Sequence, residues 1–418
     1  MKVKFLGGTK EVGRSAIAVR STNSQILLDY GVLMDRTPGF PMHIPPNDVD
    51  AIVLTHAHLD HSGAIPIFHV NGRKPVYGTS LSFELSRLLI TDFIYLSGYY
   101  LPYEYIDLQN MLDCAIFVDY HTPLDIGDLK IQLIESGHIP GGAQVIVESE
   151  EKRLLYTSDF NTIDSQLLKG ASQADGEIDV LIMESTYANA EHENREETEK
   201  RFIEKLYEVV ENGGTVLVPA FSVGRSQEIL CVLAAYDFKY SITVDGMAKN
   251  ANKILAAHPT FLRDYQLFMN AINSAKWIKG WRDRRLAAKK PGVIVSPAGM
   301  LKGGNAIFYM NSIAKKKENA IFLVSYQVPD SPGAKLLERK QFVLGGKMKK
   351  VKADVDHFNF TSHSGKTQLL DTAKKTKGNA KVFIIHGAEE NCQTLAQIIE
   401  DEIGLETHAP KSGEIYTI

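Results

Sequence analysis

One short stretch of this sequence carries a high density of metal-binding groups. Thr55-His56-Ala57-His58-Leu59-Asp60-His61 places three imidazoles and a carboxylate directly behind the apolar run Ala51–Leu54. His56 and His58 are two residues apart, so a chain leaving a strand can aim both rings into one site. Asp60 and His61 come one short turn later and can face a second position nearby. Imidazole with carboxylate suits zinc, with iron or manganese as alternatives. A polar loop after a buried strand is the plainer reading, but so many close imidazoles and a carboxylate are costly to bury without a metal. The cluster alone cannot close two coordination spheres, so further ligands must come from elsewhere. His138 in ESGHIPGG, Asp159 in LLYTSDF and His386 in VFIIHGAEE each follow an apolar run. Taken singly, such a histidine is more often a hydrogen-bonded residue than a ligand. Asp29 in ILLDYG ends another apolar run, either as a ligand or as the acceptor for an imidazole N–H. His43, His69, His121, His192, His258 and His408 are read as ordinary histidines.

The elements that must position these groups are short strands. Lys2–Leu6, Ser15–Arg20, Gln25–Asp29, Leu129–Ile134, Gln144–Glu148, Arg153–Tyr156 and Asp179–Met183 have strand character, and Ala51–Leu54 reads as a strand buried on both faces. Ser80–Ile106 reads as helical. Beyond Tyr187 the texture changes to a charged amphipathic helix ended by Gly213-Gly214, followed by strand-turn-helix units at Thr215–Pro219, Ser241–Asp245, Gly292–Ser296 and Ala320–Ser325. Strands and helices resume from about Lys349. The reading is α/β, with sheets covered by helices and a small α/β domain set into the chain.

Bulk properties narrow the class. A chain of 418 residues suggests two domains or three, and 44% hydrophobic with 23% charged residues is ordinary for a globular protein. The net charge of -4 argues against a uniformly basic nucleic-acid coat but leaves room for a local basic groove. Cys114, Cys231 and Cys392 have no paired spacing, which fits a reducing compartment and argues against a cysteine zinc site or a disulfide scaffold. The N-terminus lacks a secretory h-region, and no apolar run approaches a membrane span, so the expected location is cytoplasmic, with no membrane partner.

The motif THAHLDHSG resembles the metal-binding motif of the metallo-β-lactamase superfamily. That resemblance implies an αββα sandwich and two metals per chain, both zinc, with manganese as the alternative. It implies that His56, His58 and His138 bind one ion, that Asp60 and His61 bind the other, and that Asp159 bridges them. Past Asp159 the sequence resembles the β-CASP nucleases. IMESTY with Glu184, FTSHSG with His363 and IIHGAEEN with His386 match that family's three further motifs, and GGTKEVGRS resembles its N-terminal glycine loop. The resemblance covers essentially the whole chain and is nearest to archaeal nucleases of the cleavage and polyadenylation specificity factor type. It implies a metallo-β-lactamase domain in two parts, 1–187 and 349–418, with an inserted β-CASP domain at 188–348. One departure stands out: the second motif often reads Ser-Ala-His-x-Asp, whereas Thr361-Ser362-His363-Ser364-Gly365 lacks the acidic follower.

The implied activity is metal-dependent hydrolysis of RNA, as an endonuclease, a 5′→3′ exonuclease or both, leaving a 5′-phosphate and a 3′-hydroxyl. His386 would complete the second ion's sphere. Asp60 would accept a hydrogen bond from the attacking water, and His363 would contact the scissile phosphate or protonate the leaving oxygen, oriented by Glu184. PAFSVGRSQE and SPAGMLKGGN look like two characteristic β-CASP loops, so Ser222, Arg225, Gly299, Lys302, Gly303 and Gly304 are expected to meet RNA phosphates. KWIKGWRDRRLAAKK adds seven basic residues and both tryptophans, either as a single-stranded RNA contact or as a solvated helix with Trp277 and Trp281 on its packed face. A homodimer, or a complex with a paralogous nuclease, is the expected assembly. A small-molecule hydrolase would leave the insertion and His363 without a role; an inactive RNA-binding subunit would not need every ligand position filled.

Overall fold

The computed structural model describes the chain except residues 36, 150, 151, 329 and 377–379. Its first seven-stranded sheet runs, in order, Ile415–Thr417, Lys2–Gly7, Ala16–Arg20, Gln25–Leu28, Ala51–Val53, Val76–Gly78 and Ala115–Phe117. The second runs Thr407–His408, Lys381–Ile385, Val180–Glu184, Arg153–Tyr156, Ala143–Glu148, Leu129–Glu135 and Leu124–Ile126. Successive residues of a strand face opposite sides, and here both sides are apolar. Val3, Phe5, Ile17, Val19, Ile26 and Leu28 of the first sheet meet Val145, Val147, Leu154, Tyr156, Ile182 and Phe383 of the second.

The alternate residues face outward onto helices. Leu27, Ile52 and Leu54 pack against Phe83 and Ile90 of helix Ser80–Ser97 and Leu108 of helix Tyr105–Asp113. Leu155, Leu181, Met183, Val382 and Ile384 pack against Leu369 of helix Lys366–Lys375 and Leu395 and Ile399 of helix Glu389–Ile403. The result is an αββα sandwich, and it explains why AIVL and VLIM are unbroken apolar runs. The helical segment expected over Ser80–Ile106 is in fact two helices, broken at Gly98 and Pro102, because glycine and proline each disfavour a helix interior.

The described residues fall into two compact units. The sandwich comprises 1–164, 170–191 and 362–418; the other unit comprises 165–169 and 192–361. Helix Arg195–Glu211 opens the main part of the second unit, with the Asn194 side chain accepting from the N–H groups of Glu196 and Glu197. Its sheet has six strands, all parallel, in the order Lys276–Trp277, Ile242–Val244, Gly292–Ser296, Thr215–Pro219, Ala320–Leu323 and Asp354–His357. Asp354–His357 therefore belongs to this sheet, past the residue-349 boundary read from the sequence; a partly exposed four-residue strand carries no mark of which sheet it joins. Nor do the tryptophans share a helix face: Trp277 ends a two-residue strand and Trp281 begins helix Trp281–Ala287 after Gly280.

Candidate metal centre

Strand Ala51–Val53 ends in the sandwich unit beneath the histidine motif, and Asp29, at the end of the neighbouring strand, anchors it. The Asp29 side chain is fully buried. Its Oδ1 accepts the Thr55 backbone N–H at 2.8 Å, and its Oδ2 accepts Thr55 Oγ1–H at 2.8 Å, His61 Nδ1–H at 2.7 Å and Tyr156 O–H at 3.2 Å. With both oxygens engaged, Asp29 faces the back of His61 rather than the cavity. Burial, then the Asp29 charge, pushes the Tyr156 phenol well above its ordinary range, so it stays a donor.

Four of the imidazoles share one arrangement. His61 gives its Nδ1–H to Asp29, His138 to the Ser362 carbonyl at 2.9 Å, His56 to Thr55 Oγ1 at 3.1 Å, and His363 to Glu184 at 2.8 Å. In the neutral form of His56, His61 and His138 each such donation leaves the Nε2 lone pair directed into the site. Burial, followed by the neighbouring imidazoles, holds His56 and His138 well below the usual histidine range, and burial also lowers His58. Such rings are neutral, the state that binds metal.

Asp159 joins two donor sets. Its Oδ2 lies 3.7 Å from His56 Nε2 and 3.6 Å from His138 Nε2, while its Oδ1 lies 3.4 Å from His61 Nε2 and 3.1 Å from His386 Nδ1. His58 Nδ1 is 3.1 Å from His138 Nε2, and Asp60 Oδ2 is 3.4 Å from His386 Nε2. His56, His58, His138 and Asp159 form one group able to hold an ion, and Asp60, His61, Asp159 and His386 another. His56 Nε2 and Asp159 Oδ1 are buried with no hydrogen-bond partner. An orphaned imidazole lone pair and carboxylate oxygen in one pocket are what a bound cation would satisfy, so the donor set fits bound metal. Against the cost of burial, the His386 and His61 charges hold the Asp159 carboxyl well below its usual range.

His363 and Glu184 stand beside this centre. Glu184 ends strand Val180–Glu184, and its carboxylate is fixed by the Phe160 N–H at 3.1 Å and the Thr186 N–H at 3.3 Å. Both its oxygens lie 2.8 Å from His363 Nδ1, which turns Nε2 to within 4.0 Å of Asp159 Oδ2. Burial opposes protonation of His363, but Glu184 and then Asp159 outweigh it and raise its pKa to about 9. The missing acidic follower is compensated locally. Ser362 is tied to His138, the Ser364 N–H donates to the Phe160 carbonyl at 2.8 Å, and the Gly365 N–H to Gln368 Oε1 at 3.0 Å.

Sequence reasoning missed several supports: Thr55, Tyr156, Ser158 and Gly31. Ser158 Oγ contacts Thr55 Oγ1 at 2.8 Å. A Cβ on Gly31 would sit 1.7 Å from the Asp60 carbonyl oxygen, so only glycine lets this loop pass. Hydroxyls one residue from a recognised ligand were the available signal for Thr55 and Ser158.

The six expected phosphate contacts lie in the second unit. Ser222 and Arg225 follow strand Thr215–Pro219, with Arg225 opening helix Arg225–Ala235. Gly299, Lys302, Gly303 and Gly304 follow the adjacent strand Gly292–Ser296, with Gly304 opening helix Gly304–Ile313. The chain leaves these neighbouring parallel strands in opposite directions, toward Ile242–Val244 and toward Ala320–Leu323. Such a reversal opens a crevice at the carboxyl ends of the strands, the usual ligand position in a parallel sheet.

Three family models match the chain: a metallo-beta-lactamase superfamily domain over residues 18–187, a Beta-Casp domain over 226–336, and a Zn-dependent metallo-hydrolase RNA specificity domain over 348–410. RNase aCSPSF2 of Saccharolobus solfataricus is 42% identical over 99% of this chain and 84% of that protein. Probable RNase MJ4 of Methanocaldococcus jannaschii is 35% identical over 99% of both chains. Transcription termination factor FttA of Pyrococcus abyssi is 32% identical over 99% of this chain and 70% of its own. Among solved structures, a protein of unknown function from Enterococcus faecalis superposes with a TM-score of 0.63 at 13% identity, covering 100% of this chain and 99% of that one.

Proposed function

We propose, from the premise that this chain belongs to the β-CASP family of the metallo-β-lactamase superfamily, that it is a metal-dependent ribonuclease acting in RNA processing or decay. Relatives named as RNases at 42% and 35% identity over nearly the whole chain support the substrate. The observation that carries the chemistry is Asp159, whose two oxygens face two separate donor sets.

In this reading His56, His58, His138 and Asp159 would hold one zinc ion, and Asp60, His61, His386 and Asp159 would hold a second; manganese is the alternative metal. When bound, the ions supply Lewis acidity toward a phosphate oxygen and make water a stronger acid. The protein's own residues do the rest. Asp60, the more exposed carboxylate of the centre, orients the attacking water. Glu184 holds the His363 ring so that Nε2–H is presented to the phosphate or to the departing 3′ oxygen. That oxygen takes a proton and leaves as a hydroxyl, and the product keeps a 5′-phosphate. The loops bearing Ser222 and Arg225, and Gly299 to Gly304, bind the RNA backbone through N–H groups and cationic side chains. Among the described residues no helix is long and apolar enough to cross a membrane, and a cytoplasmic site of action fits the substrate.

The test uses purified, zinc-loaded protein with internally labelled and 5′-labelled RNA. Wild type should cleave, while Asp60→Ala and His363→Ala should lose cleavage, Asp60→Ala with a lower zinc content and His363→Ala without. Unchanged cleavage by Asp60→Ala would sink the two-metal assignment. Mononucleotides released only from 5′-monophosphorylated RNA would make the mode exonucleolytic; internal fragments would make it endonucleolytic.

A further inference from the structure

The two tryptophans of this chain have different fates. Trp277 is half-buried, and its indole N–H donates to the Ile272 carbonyl at 2.9 Å, so it is part of the packing. Trp281 is 61% exposed. Yet it is held from two sides: the Arg284 guanidinium lies 5.1 Å from its ring centroid, and Phe308 meets it at 5.3 Å and 72°. Arg284 is itself fixed by a two-pronged bond to the buried Asp245, at 2.6 and 3.2 Å, and Tyr309 adds a third donor to that carboxylate at 2.9 Å. An exposed large aromatic gains little from folding. Here an ion pair to a buried carboxylate and a second ring order it while more than half of its surface meets water.

Its surroundings indicate what it is ordered for. Lys276, Lys279, Arg282 and Arg285, in the same stretch of chain, are exposed. Asp283, two residues on, accepts the Lys279 backbone N–H at 3.0 Å. Trp281 follows strand Lys276–Trp277 by a few residues, which places it on the carboxyl edge of the all-parallel sheet. That is the same edge of the second unit from which the loops after Pro219 and Ser296 leave. A rigid indole within a basic rim matches a single-stranded polyanion with flat bases, since every base has a π-face and stacking costs less when the platform is already ordered.

We infer that Trp281 is a base-stacking platform for single-stranded RNA, with Lys279 and Arg282 meeting the adjoining phosphates. The inference rests on the ribonuclease reading and adds a binding subsite to it. The probe is a 12-nucleotide oligoadenylate mixed rapidly with zinc-loaded protein, with tryptophan fluorescence recorded before turnover. Wild type should be quenched saturably, and Trp281→Phe should lose most of that quench. Trp277→Phe, which leaves Trp281 as the sole tryptophan, should keep it. In steady state on a 20-nucleotide RNA, Trp281→Ala should raise KM about tenfold with kcat within twofold, and Trp281→Phe should restore most of the loss, as expected for stacking on one base. Arg282→Glu should flatten the salt dependence of binding. Equal quench in wild type and Trp281→Phe, or a KM within twofold for Trp281→Ala, overturns the inference. If wild type fails to cleave, the ribonuclease reading falls, while the quench still decides whether Trp281 meets RNA.

Discussion

Replacing Asp29 by asparagine changes one atom, 0% exposed, that contacts no proposed ion. The structure nonetheless assigns it a large effect. Oδ1 takes the Thr55 backbone N–H, and Oδ2 takes the His61 N–H and two hydroxyls. An asparagine has one acceptor oxygen and one NH2 group in the same places. If the oxygen faces His61, the NH2 confronts the Thr55 N–H, and two donors meet in a buried space. If the oxygen faces Thr55, the NH2 confronts His61 Nδ1. The hydroxyls can turn to accept, but the imidazole must move its proton to Nε2, the nitrogen 3.4 Å from Asp159 Oδ1. The lone pair proposed to bind metal is then lost. The first outcome costs stability, about 1–3 kcal/mol for an unsatisfied buried group. The second weakens one ion, by roughly 10–100-fold, as for other partners of metal-bound histidines. Zinc titration of metal-free Asp29→Asn against a chromophoric chelator should therefore show one equivalent bound as tightly as in wild type and one weakened, with cleavage restored by excess zinc. Two equivalents within twofold of wild type, with an unchanged melting temperature, would refute the reasoning. Equal weakening of both ions would show that Asp29 does not act through His61.

Three further outcomes follow from the same geometry. Gly31→Ala would drive a methyl into the Asp60 carbonyl, 1.7 Å away, so the variant should take up fewer than two zinc ions per chain in elemental analysis; full loading would show that the loop can yield. Glu184→Gln should keep the full zinc content but lower single-turnover cleavage by about 10²–10⁴-fold, the range for loss of a general acid–base group; a cleavage rate near wild type would remove Glu184 from the mechanism. Stripping metal with a chelator should lower the melting temperature, and zinc at 100 times its Kd should restore about 2.7 kcal/mol, roughly 5–10 °C for a unit of this size. A melting temperature indifferent to zinc would mean that the cluster is not a metal site.

The fold was legible wherever burial was strict. AIVL, VLIM and VFII are apolar at every position, and each proved to be a strand covered on both faces. The residues of the centre were legible because histidine, aspartate and glutamate are rarely buried singly. What escaped the sequence depends on distance in space rather than in the chain. Tyr156 looks like one more core aromatic until its hydroxyl is found on Asp29, and a glycine in DYG looks like an ordinary turn until the Asp60 carbonyl is seen against it. The tryptophan pair failed for a related reason. Four-residue spacing suggests a shared helix face, but Gly280 ends one element and begins another, so one ring is packed and the other exposed.

The backbone of the centre makes the same point about local and global preference. Asp29, Ser158 and His386 all have positive φ, at 59°, 51° and 49°, a region that costs a residue other than glycine on the order of 1 kcal/mol or more. Asp29 and His386 directly follow the buried strands Gln25–Leu28 and Lys381–Ile385, and Ser158 comes two residues after Arg153–Tyr156. A chain that continued straight would carry the next polar side chain past the mouth of the sandwich. A left-handed residue at that point turns the chain within one step, which sets Asp29 against His61, Asp159 between the two donor sets, and His386 over Asp60. Glycine would relieve the strain at each position but would remove a carboxylate, a hydroxyl and an imidazole that the geometry uses. Strands buried on both faces supply the rigidity that holds three such turns in place, and therefore the polar centre follows the most apolar runs of the sequence.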